Sequence, residues 1–163
     1  MPGQKPWWQG QRGEWYVVVQ VCLLGLVAIS PWITTWLPAW PATLAGVARW
    51  IGALGLVVAT VIVLAGALHL GRNLTPLPHP KDDATLVETG IYGLIRHPLY
   101  SGLIGLSIGW ALFMANTLTL LCAALLFVFF DIKTRREERW LMTKFPAYAD
   151  YRRRVRKFMP GVY

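Results

Sequence analysis

Charged residues are scarce in this sequence, and its two longest uncharged stretches each exceed 30 residues. Asp, Glu, Lys and Arg make up 15% of the 163 residues, whereas hydrophobic residues make up 55%. Residues 15–48 and 98–130 contain no Asp, Glu, Lys or Arg at all. This composition excludes an ordinary soluble domain and predicts an integral membrane protein, with a length that suits one domain.

The sequence also lacks the motifs of several common enzyme classes. Its two cysteines, Cys22 and Cys122, lie far apart in apolar stretches, so we expect them to be small apolar fillers. No Gly-x-Gly-x-x-Gly and no Gly-x4-Gly-Lys-Ser/Thr occurs, so neither a Rossmann nor a P-loop nucleotide site is indicated. His69 and His79 have no third ligand at a suitable spacing, so no metal site is predicted.

The uncharged stretches predict an all-α membrane domain with about four transmembrane helices. Since roughly 20 helical residues cross a bilayer core, residues 15–37 and 42–70 are each expected to cross once. Residues 98–130 are too long for one crossing and are expected to form a helical hairpin, with its turn near Asn116-Thr117. The first stretch is too long for a signal-peptide core, so no cleavable leader is expected. Small residues in the second helix should let another helix approach closely: Gly46, Gly52, Gly55 and Ala59.

Polar segments lie between and after these helices. Residues 1–14 are expected to lie at the membrane interface, and the proline-rich residues 71–97 to form a loop. Residues 131–163 continue the last helix out of the membrane and should form helices that Pro146 divides, with the second helix starting at that proline. Apolar residues recur there at helical spacing opposite basic ones, which predicts a basic amphipathic element on an anionic membrane surface. The apolar residues are Leu141, Phe145, Tyr148, Tyr151 and Val155.

The distribution of positive charge predicts the orientation of the chain. Lys and Arg cluster before the first helix, within residues 71–97 and after residue 130, whereas the two opposite turns carry almost none. The positive-inside rule therefore places both termini and residues 71–97 on the cytoplasmic side of a bacterial or archaeal cell membrane. Because the two ends of a hairpin lie side by side, His97 and the Glu137-Glu138 pair are expected to be neighbours.

The polar residues of 90–102 are a candidate site. They are Tyr92, Arg96, His97 and Tyr100. Such residues are costly next to hydrocarbon and are retained there for a task, although Arg and Tyr also serve as interfacial anchors at the start of a helix. Glu137 and Glu138 equally fit a binding site or a solvated helix face paired with neighbouring Lys and Arg. From the residues alone, both alternatives stay open.

The order and spacing of these motifs resemble the isoprenylcysteine carboxyl methyltransferase family, to which the phospholipid N-methyltransferases are related. The resemblance covers roughly residues 73–160, and its specificity lies in the combination of motifs. The matching positions are Leu86-Val87, Gly90-x-Tyr92, Arg96-His97-Pro98-x-Tyr100-x-Gly102, Glu137-Glu138-x-x-Leu141, Phe145, Tyr148-x-x-Tyr151 and Phe158-x-Pro160.

The resemblance implies an integral membrane enzyme that transfers a methyl group from S-adenosyl-L-methionine to a lipophilic acceptor and releases S-adenosyl-L-homocysteine. The acceptor would be an isoprenylcysteine-like carboxylate or another lipid-embedded carboxylate, amine or thiol. The implied partners are therefore the lipid bilayer and this acceptor, with no nucleic acid. The cofactor pocket would be closed by residues 71–97 and by the helices of residues 131–163.

Residue by residue, the resemblance implies two sets of functional positions. The cofactor-binding set is His97, Tyr100, Leu86, Val87, Gly90, Tyr92, Glu137 and Glu138. The catalytic residues, which would face an acidic acceptor group, are Arg96 and Arg135, with Lys133 and Arg136 as alternatives to Arg135.

Two other functions remain compatible with the sequence. One is a sterol-reductase-like, NADPH-dependent membrane enzyme, because that group has a similar Arg-x-Pro-x-Tyr near a C-terminal hairpin. The Glu137-Glu138-x-x-Leu141 motif favours the methyl donor over NADPH. The other is a non-catalytic membrane protein that binds lipid. Binding of S-adenosylhomocysteine or of NADPH would distinguish these alternatives.

Overall fold

Five α-helices account for most of the described chain. A computed structural model describes residues 12–33 and 37–163. Its helices are α1 (Glu14–Ile33), α2 (Ala42–Leu70), α3 (Pro98–Phe113), α4 (Thr117–Lys144) and α5 (Tyr148–Arg154), with 3₁₀ helices at Gly71–Asn73 and Gly90–Gly93. No β-strand occurs among these residues, although an isolated bridge pairs Ile95 with Arg156. Most of the predicted interfacial segment, residues 1–11, lies outside the described residues, as do residues 34–36 of the first predicted helix.

The helices form a membrane domain. Within the described residues, three helices are long and apolar enough to cross a membrane: α1, α4, and α2 with the 3₁₀ turn that follows it. Helix α3 is also apolar but has 16 residues, which gives about 24 Å. Large apolar side chains on α2 are exposed, including Trp50 at 81%, and such a surface requires lipid around it. The predicted all-α membrane fold is confirmed, although three helices rather than four have the length of a full crossing.

Helices α2 and α3 approach closely because small residues line their contact. A Cβ on Gly52 would lie 2.6 Å from the carbonyl oxygen of Gly109, and one on Gly102 would lie 3.1 Å from that of Ala59. Only a residue without a side chain fits at such distances. The close approach expected from Gly52 and Ala59 is therefore confirmed, whereas Gly46 faces open space.

The α3–α4 hairpin brings the start of α3 and the charged half of α4 to one end of the bundle. Asn116 caps α4 by accepting a hydrogen bond from the Thr119 N–H at 2.9 Å. Helix α4 has 28 residues, or about 42 Å, so its second half extends beyond a hydrocarbon core of about 30 Å. The residues from Asp131 onward lie in that half. Helix α1 packs on α4, where Ser30 Oγ donates to Thr119 Oγ1 at 2.8 Å.

The loop after α2 and the residues after α4 cover this end of the hairpin. The Arg96 N–H donates to the Arg156 carbonyl at 2.8 Å, and the His97 N–H donates to that of Lys157 at 3.1 Å. The chain after α5 therefore runs alongside the residues that lead into α3. Pro146 separates α4 from α5, as expected, although α5 begins two residues later than the proline.

The apolar side of the C-terminal segment packs inside the protein. Tyr148, Tyr151 and Val155 are buried together, and Leu86 of the loop packs against them. The prediction that this apolar stripe lies on a membrane surface is therefore wrong. An amphipathic spacing shows that one face is buried, but not whether lipid or protein buries it.

Candidate functional site

A cavity of about 380 Å³ lies where the loop after α2 crosses the end of the hairpin. Loop residues, the start of α3, the second half of α4, α5 and one residue each of α1 and α2 form its walls. This volume and a mainly apolar lining with a few polar groups are typical of a small-molecule site. The polar and charged lining residues include Gln20, Tyr92, Arg96, His97, Tyr100, Lys133, Glu137, Tyr148 and Tyr151.

Behind the cavity wall, the carboxylate of Glu138 holds three basic side chains. Arg96 donates to its Oε1 through Nε at 3.0 Å and Nη2 at 2.9 Å, and His97 Nε2 lies 3.1 Å from the same oxygen. Arg152 Nε lies 3.3 Å from Oε2. Glu138 is 4% exposed, and a buried carboxylate with several partners fixes the geometry around it. We call Arg96, His97, Glu138 and Arg152 the rear cluster.

The Arg96 guanidinium also holds the end of α5. Its Nη1 donates to the carbonyl oxygens of Arg152, at 3.1 Å, and Val155. The last carbonyls of a helix have no partner within that helix, so Arg96 caps α5 from outside. Although Arg96 lines the cavity, each of its guanidinium nitrogens is engaged within the protein. Its expected role facing an acceptor therefore stays a prediction beside an observed structural role.

Glu137 contributes to the cavity lining, unlike the adjacent Glu138. It accepts a hydrogen bond from Tyr100 Oη at 2.8 Å. Among the described residues, no Lys, Arg or His nitrogen lies within 4.0 Å of its carboxylate. The Tyr100 ring is itself fixed by stacking on Phe130, with ring centroids 4.8 Å apart. Glu137 is thus a positioned acceptor with capacity for a ligand.

Tyrosines from α5 and from the loop complete the cavity. Tyr148 Oη is buried and has no hydrogen-bond partner among the described residues, whereas Tyr151 Oη donates to the Tyr92 carbonyl at 2.6 Å. Burial raises the pKa of Tyr92, Tyr148 and Tyr151, so all three keep their protons at neutral pH. A buried hydroxyl without a partner costs about 1–3 kcal/mol, and a ligand atom in the cavity would satisfy that of Tyr148.

Lys133 is the basic residue that α4 contributes to the cavity. It is fully buried, and its ammonium donates to Gln20 Oε1 of α1 and to the Pro76 carbonyl of the loop. Arg135, which the resemblance implied at this site, has a side chain that is 68% exposed and pairs with Asp131. The reason is helical spacing, since Lys133 lies one turn before Glu137 whereas Arg135 lies on another face. We call Tyr100, Lys133, Glu137 and Tyr148 the front wall.

Most of the residues expected to form the site line the same cavity. These are Leu86, Val87, Tyr92, Arg96, His97, Tyr100 and Glu137. The structure places Gly90, Glu138 and Arg135 outside the lining. Gly90 has a φ of +62°, and a Cβ there would collide with the His69 ring, so this glycine shapes the turn beside the site. The functional roles of all ten residues stay predictions.

Sequence reasoning missed two features of the cavity. The sequence indicates Tyr148 only as one position of a helical spacing, and its unpaired hydroxyl is visible only in the fold. No sequence pattern indicates Gln20, because its hydrogen bond with Lys133 joins residues that are 113 positions apart in the chain. The choice of Lys133 over Arg135 did have a signal, since residues four apart on a helix share a face.

Residues 47–148 match the family model for phospholipid methyltransferases. The nickel-cobalt-cadmium resistance protein NccN of Alcaligenes xylosoxydans xylosoxydans is 35% identical over 91% of this chain and 63% of its own length. The protein-S-isoprenylcysteine O-methyltransferase of Dictyostelium discoideum is 29% identical over 70% of this chain and 50% of its own. This chain therefore spans about half to three fifths of these curated relatives.

A solved structure of the eukaryotic intramembrane Ras methyltransferase ICMT has the same fold. It superposes with a TM-score of 0.63 at 22% sequence identity and covers 94% of this chain and 67% of its own. This likeness supports the fold, and the resemblance inferred from the motifs is confirmed by the relatives. Since the family model covers more than half of the sequence, the chain belongs to the phospholipid methyltransferase family.

Proposed function

We propose that this chain is a membrane methyltransferase that transfers a methyl group from S-adenosylmethionine to a lipophilic acceptor. The observation that carries the proposal is the cavity, in which Glu137 and the unpaired hydroxyl of Tyr148 stand among apolar walls. The methyltransferase names of relatives such as the Dictyostelium discoideum protein support the reaction type.

The cavity residues fit the chemical groups of S-adenosylmethionine. Glu137 can accept hydrogen bonds from ribose hydroxyls or from an amino group, and Tyr148 can supply a hydroxyl to a second polar atom. Leu86 and Val87 offer an apolar surface for an adenine ring. The carboxylate of Glu137 also suits the positive charge of the sulfonium.

When bound, S-adenosylmethionine supplies an electrophilic methyl group, which an oxygen, nitrogen or sulfur nucleophile takes in one displacement that leaves S-adenosylhomocysteine. The protein's task is to align the two reactants and exclude water. Tyr151 ties α5 to the Tyr92 carbonyl of the loop. This bond holds α5 and the loop together beside the cavity.

The position of the cavity supports an acceptor that resides in lipid. Gln20 of α1 and Leu99 and Leu103 of α3 reach its lining from the membrane helices. We propose that a lipid-embedded carboxylate, amine or thiol enters from this side. By the positive-inside rule, the end of the helical bundle that carries the loop and α5 lies on the cytoplasmic side of a bacterial or archaeal cell membrane.

Calorimetric titration of the purified protein in a neutral detergent tests the cofactor. We expect saturable binding of S-adenosylhomocysteine at one site per chain and no binding of NADPH. Binding of NADPH alone would favour the reductase-like alternative, and binding of neither would favour a lipid-binding protein. Either of these two results would overturn the proposal. Mass spectrometry of lipids after incubation with a methyl-deuterated donor would then identify the acceptor.

The name of the NccN relative refers to metal resistance, and no observation favours such a role for this chain's own residues. Within residues 12–33 and 37–163, no three His, Cys, Asp or Glu side chains gather as a set of metal ligands. We therefore propose no second function. The alternatives to be tested are the NADPH-dependent enzyme and the lipid-binding protein.

A further inference from the structure

Lys133 places a positive charge in the cavity wall without a carboxylate partner. Its ammonium contacts two neutral acceptors, Gln20 Oε1 and the Pro76 carbonyl, the latter at 3.1 Å. Among the described residues, no Asp or Glu oxygen lies within 4.0 Å of it. Residues 1–11 and 34–36 contain no Asp or Glu. Because an ammonium has three donors, one of them is left for a further acceptor.

The other cations near the cavity are already engaged. The Arg96 guanidinium is taken up by Glu138 and by the end of α5. Arg135 pairs with Asp131, and both Arg135 and Arg136 lie outside the lining. Lys133 is therefore the cationic side chain of the lining that retains capacity for an anion.

The neighbours of Lys133 keep its charge separate from that of Glu137. The two residues lie one turn apart on α4 and line the same cavity, yet they form no ion pair. Tyr100 contacts both, since its hydroxyl donates to Glu137 and the Lys133 nitrogen lies 5.1 Å from its ring centroid. A cavity with separate positive and negative groups suits a ligand that carries an anionic group apart from its polar or cationic part.

Building on the proposed function, we propose that Lys133 is a specificity-determining residue that binds an anionic oxygen group of the ligand. Two sources can supply this group: the amino-acid carboxylate of the methyl donor, or an acidic group on the lipophilic acceptor. In either case a charge-assisted hydrogen bond forms between the Lys133 ammonium and a carboxylate or phosphate oxygen. Gln20 holds the ammonium in place from α1.

Calorimetry with Lys133→Met and Lys133→Arg tests the first source. The ligands are S-adenosylhomocysteine and 5′-methylthioadenosine, which keeps the adenosine and the sulfur but lacks the amino-acid end. If Lys133 holds the donor carboxylate, Lys133→Met weakens S-adenosylhomocysteine binding on the order of 10- to 100-fold. Binding of methylthioadenosine stays unchanged, and Lys133→Arg recovers most of the affinity because it restores the charge.

Decanoate and decanol, which differ in charge at equal chain length, test the second source. If Lys133 holds an acceptor group, wild-type protein binds decanoate more tightly than decanol, and Lys133→Met removes that preference while S-adenosylhomocysteine binding is unchanged. Either pattern supports the proposal. It is overturned if Lys133→Met binds all four ligands as wild type does, or weakens all four equally. The decanoate comparison needs no cofactor, so it stays decisive even if the wild type fails to bind S-adenosylhomocysteine.

Lys144→Met is the matched control for a purely structural effect. Lys144 also lies on α4 and donates to loop carbonyls, those of Lys81 and Asp82, but it does not line the cavity. We expect ligand binding in this variant to match the wild type. Thermal melting checks the fold of each variant, and should Lys133→Met not fold, Lys133→Gln removes the same charge while keeping a donor for the Pro76 carbonyl.

Discussion

Glu137 and Glu138 are adjacent in sequence but belong to two regions of opposite character. Glu138 lies in the rear cluster, where Arg96, His97 and Arg152 surround its carboxylate. Glu137 lies in the front wall, where it accepts one hydrogen bond from a tyrosine and faces the cavity. Neighbours on a helix point about 100° apart, so one turn of α4 supplies both regions.

The difference separates groups that build the site from groups that are available to a ligand. In the rear cluster the charged groups satisfy one another, so the cluster positions the start of α3 and the end of α5. In the front wall, a hydroxyl, a carboxylate oxygen and a cation have no partner of their own kind among residues 12–33 and 37–163: the Tyr148 hydroxyl has no hydrogen bond, one Glu137 oxygen has none, and Lys133 has no carboxylate. Polar groups that a protein leaves unsatisfied in a cavity are expected to find their partners in a bound molecule.

The largest effect is expected from breaking the rear cluster with Glu138→Gln. This change leaves the buried Arg96 guanidinium without its counter-charge. Removing one partner of a buried ion pair costs about 3–5 kcal/mol, so the melting temperature in detergent should fall steeply. A variant that melts as the wild type does would show that the cluster does not hold the fold together.

A smaller loss, confined to binding, is expected for Glu137→Gln. The variant should melt as the wild type does without ligand, because this carboxylate has no ion-pair partner among the described residues. At 100 times the wild-type dissociation constant, S-adenosylhomocysteine should stabilise the wild type by about 2.7 kcal/mol and the variant by about 1.4 kcal/mol or less. Thermal melting with and without ligand measures both values. Equal ligand-induced shifts would remove Glu137 from the site.

Tyr148→Phe should have a weaker effect, and its two parts should have opposite signs. Losing an unsatisfied buried hydroxyl should leave the free energy of unfolding unchanged or raise it by up to about 1 kcal/mol. Losing the hydrogen bond to a ligand should weaken S-adenosylhomocysteine binding by roughly 5- to 10-fold. A variant that is destabilised and binds normally would mean that the hydroxyl has a partner within the protein.

The smallest effect is expected at the exposed basic face of α5. The Arg153 side chain is 78% exposed and pairs with Asp150, and such surface pairs contribute about 0–1 kcal/mol. Arg153→Ala should therefore change neither the melting temperature nor S-adenosylhomocysteine binding measurably. A loss of S-adenosylhomocysteine affinity as large as that of Glu137→Gln would mean that the binding site lies at the exposed basic face of α5 and not in the cavity.

Local patterns in the sequence predicted the helical parts of this fold well. The apolar residues that follow the prolines at 38 and 41 predicted a helix over residues 42–70, and α2 spans Ala42–Leu70. The hairpin followed from a stretch too long for one crossing, and it brought His97 beside Glu138, at 3.1 Å. The length of an apolar stretch, its charge and its proline positions are local features, so they can be interpreted without knowledge of the fold.

The details of the site depended on contacts between distant segments. No local signal places Gln20 of α1 against Lys133, or shows that Arg96 caps α5. The apolar stripe of α5 was correctly recognised as a buried face, but its cover is the loop residue Leu86 and α4 rather than lipid. Motifs thus located the site, whereas only the fold separated its structural residues from its free ones.

The distinction between the rear cluster and the front wall is tested most directly by titrating S-adenosylhomocysteine onto Glu137→Gln and Glu138→Gln. The temperature is one at which both variants are folded. We predict that Glu137→Gln weakens binding about tenfold or more relative to Glu138→Gln, because only the former loses a carboxylate that faces the cavity. The opposite order, with Glu138→Gln losing binding while Glu137→Gln keeps it, would contradict the assignment of the front wall to the ligand.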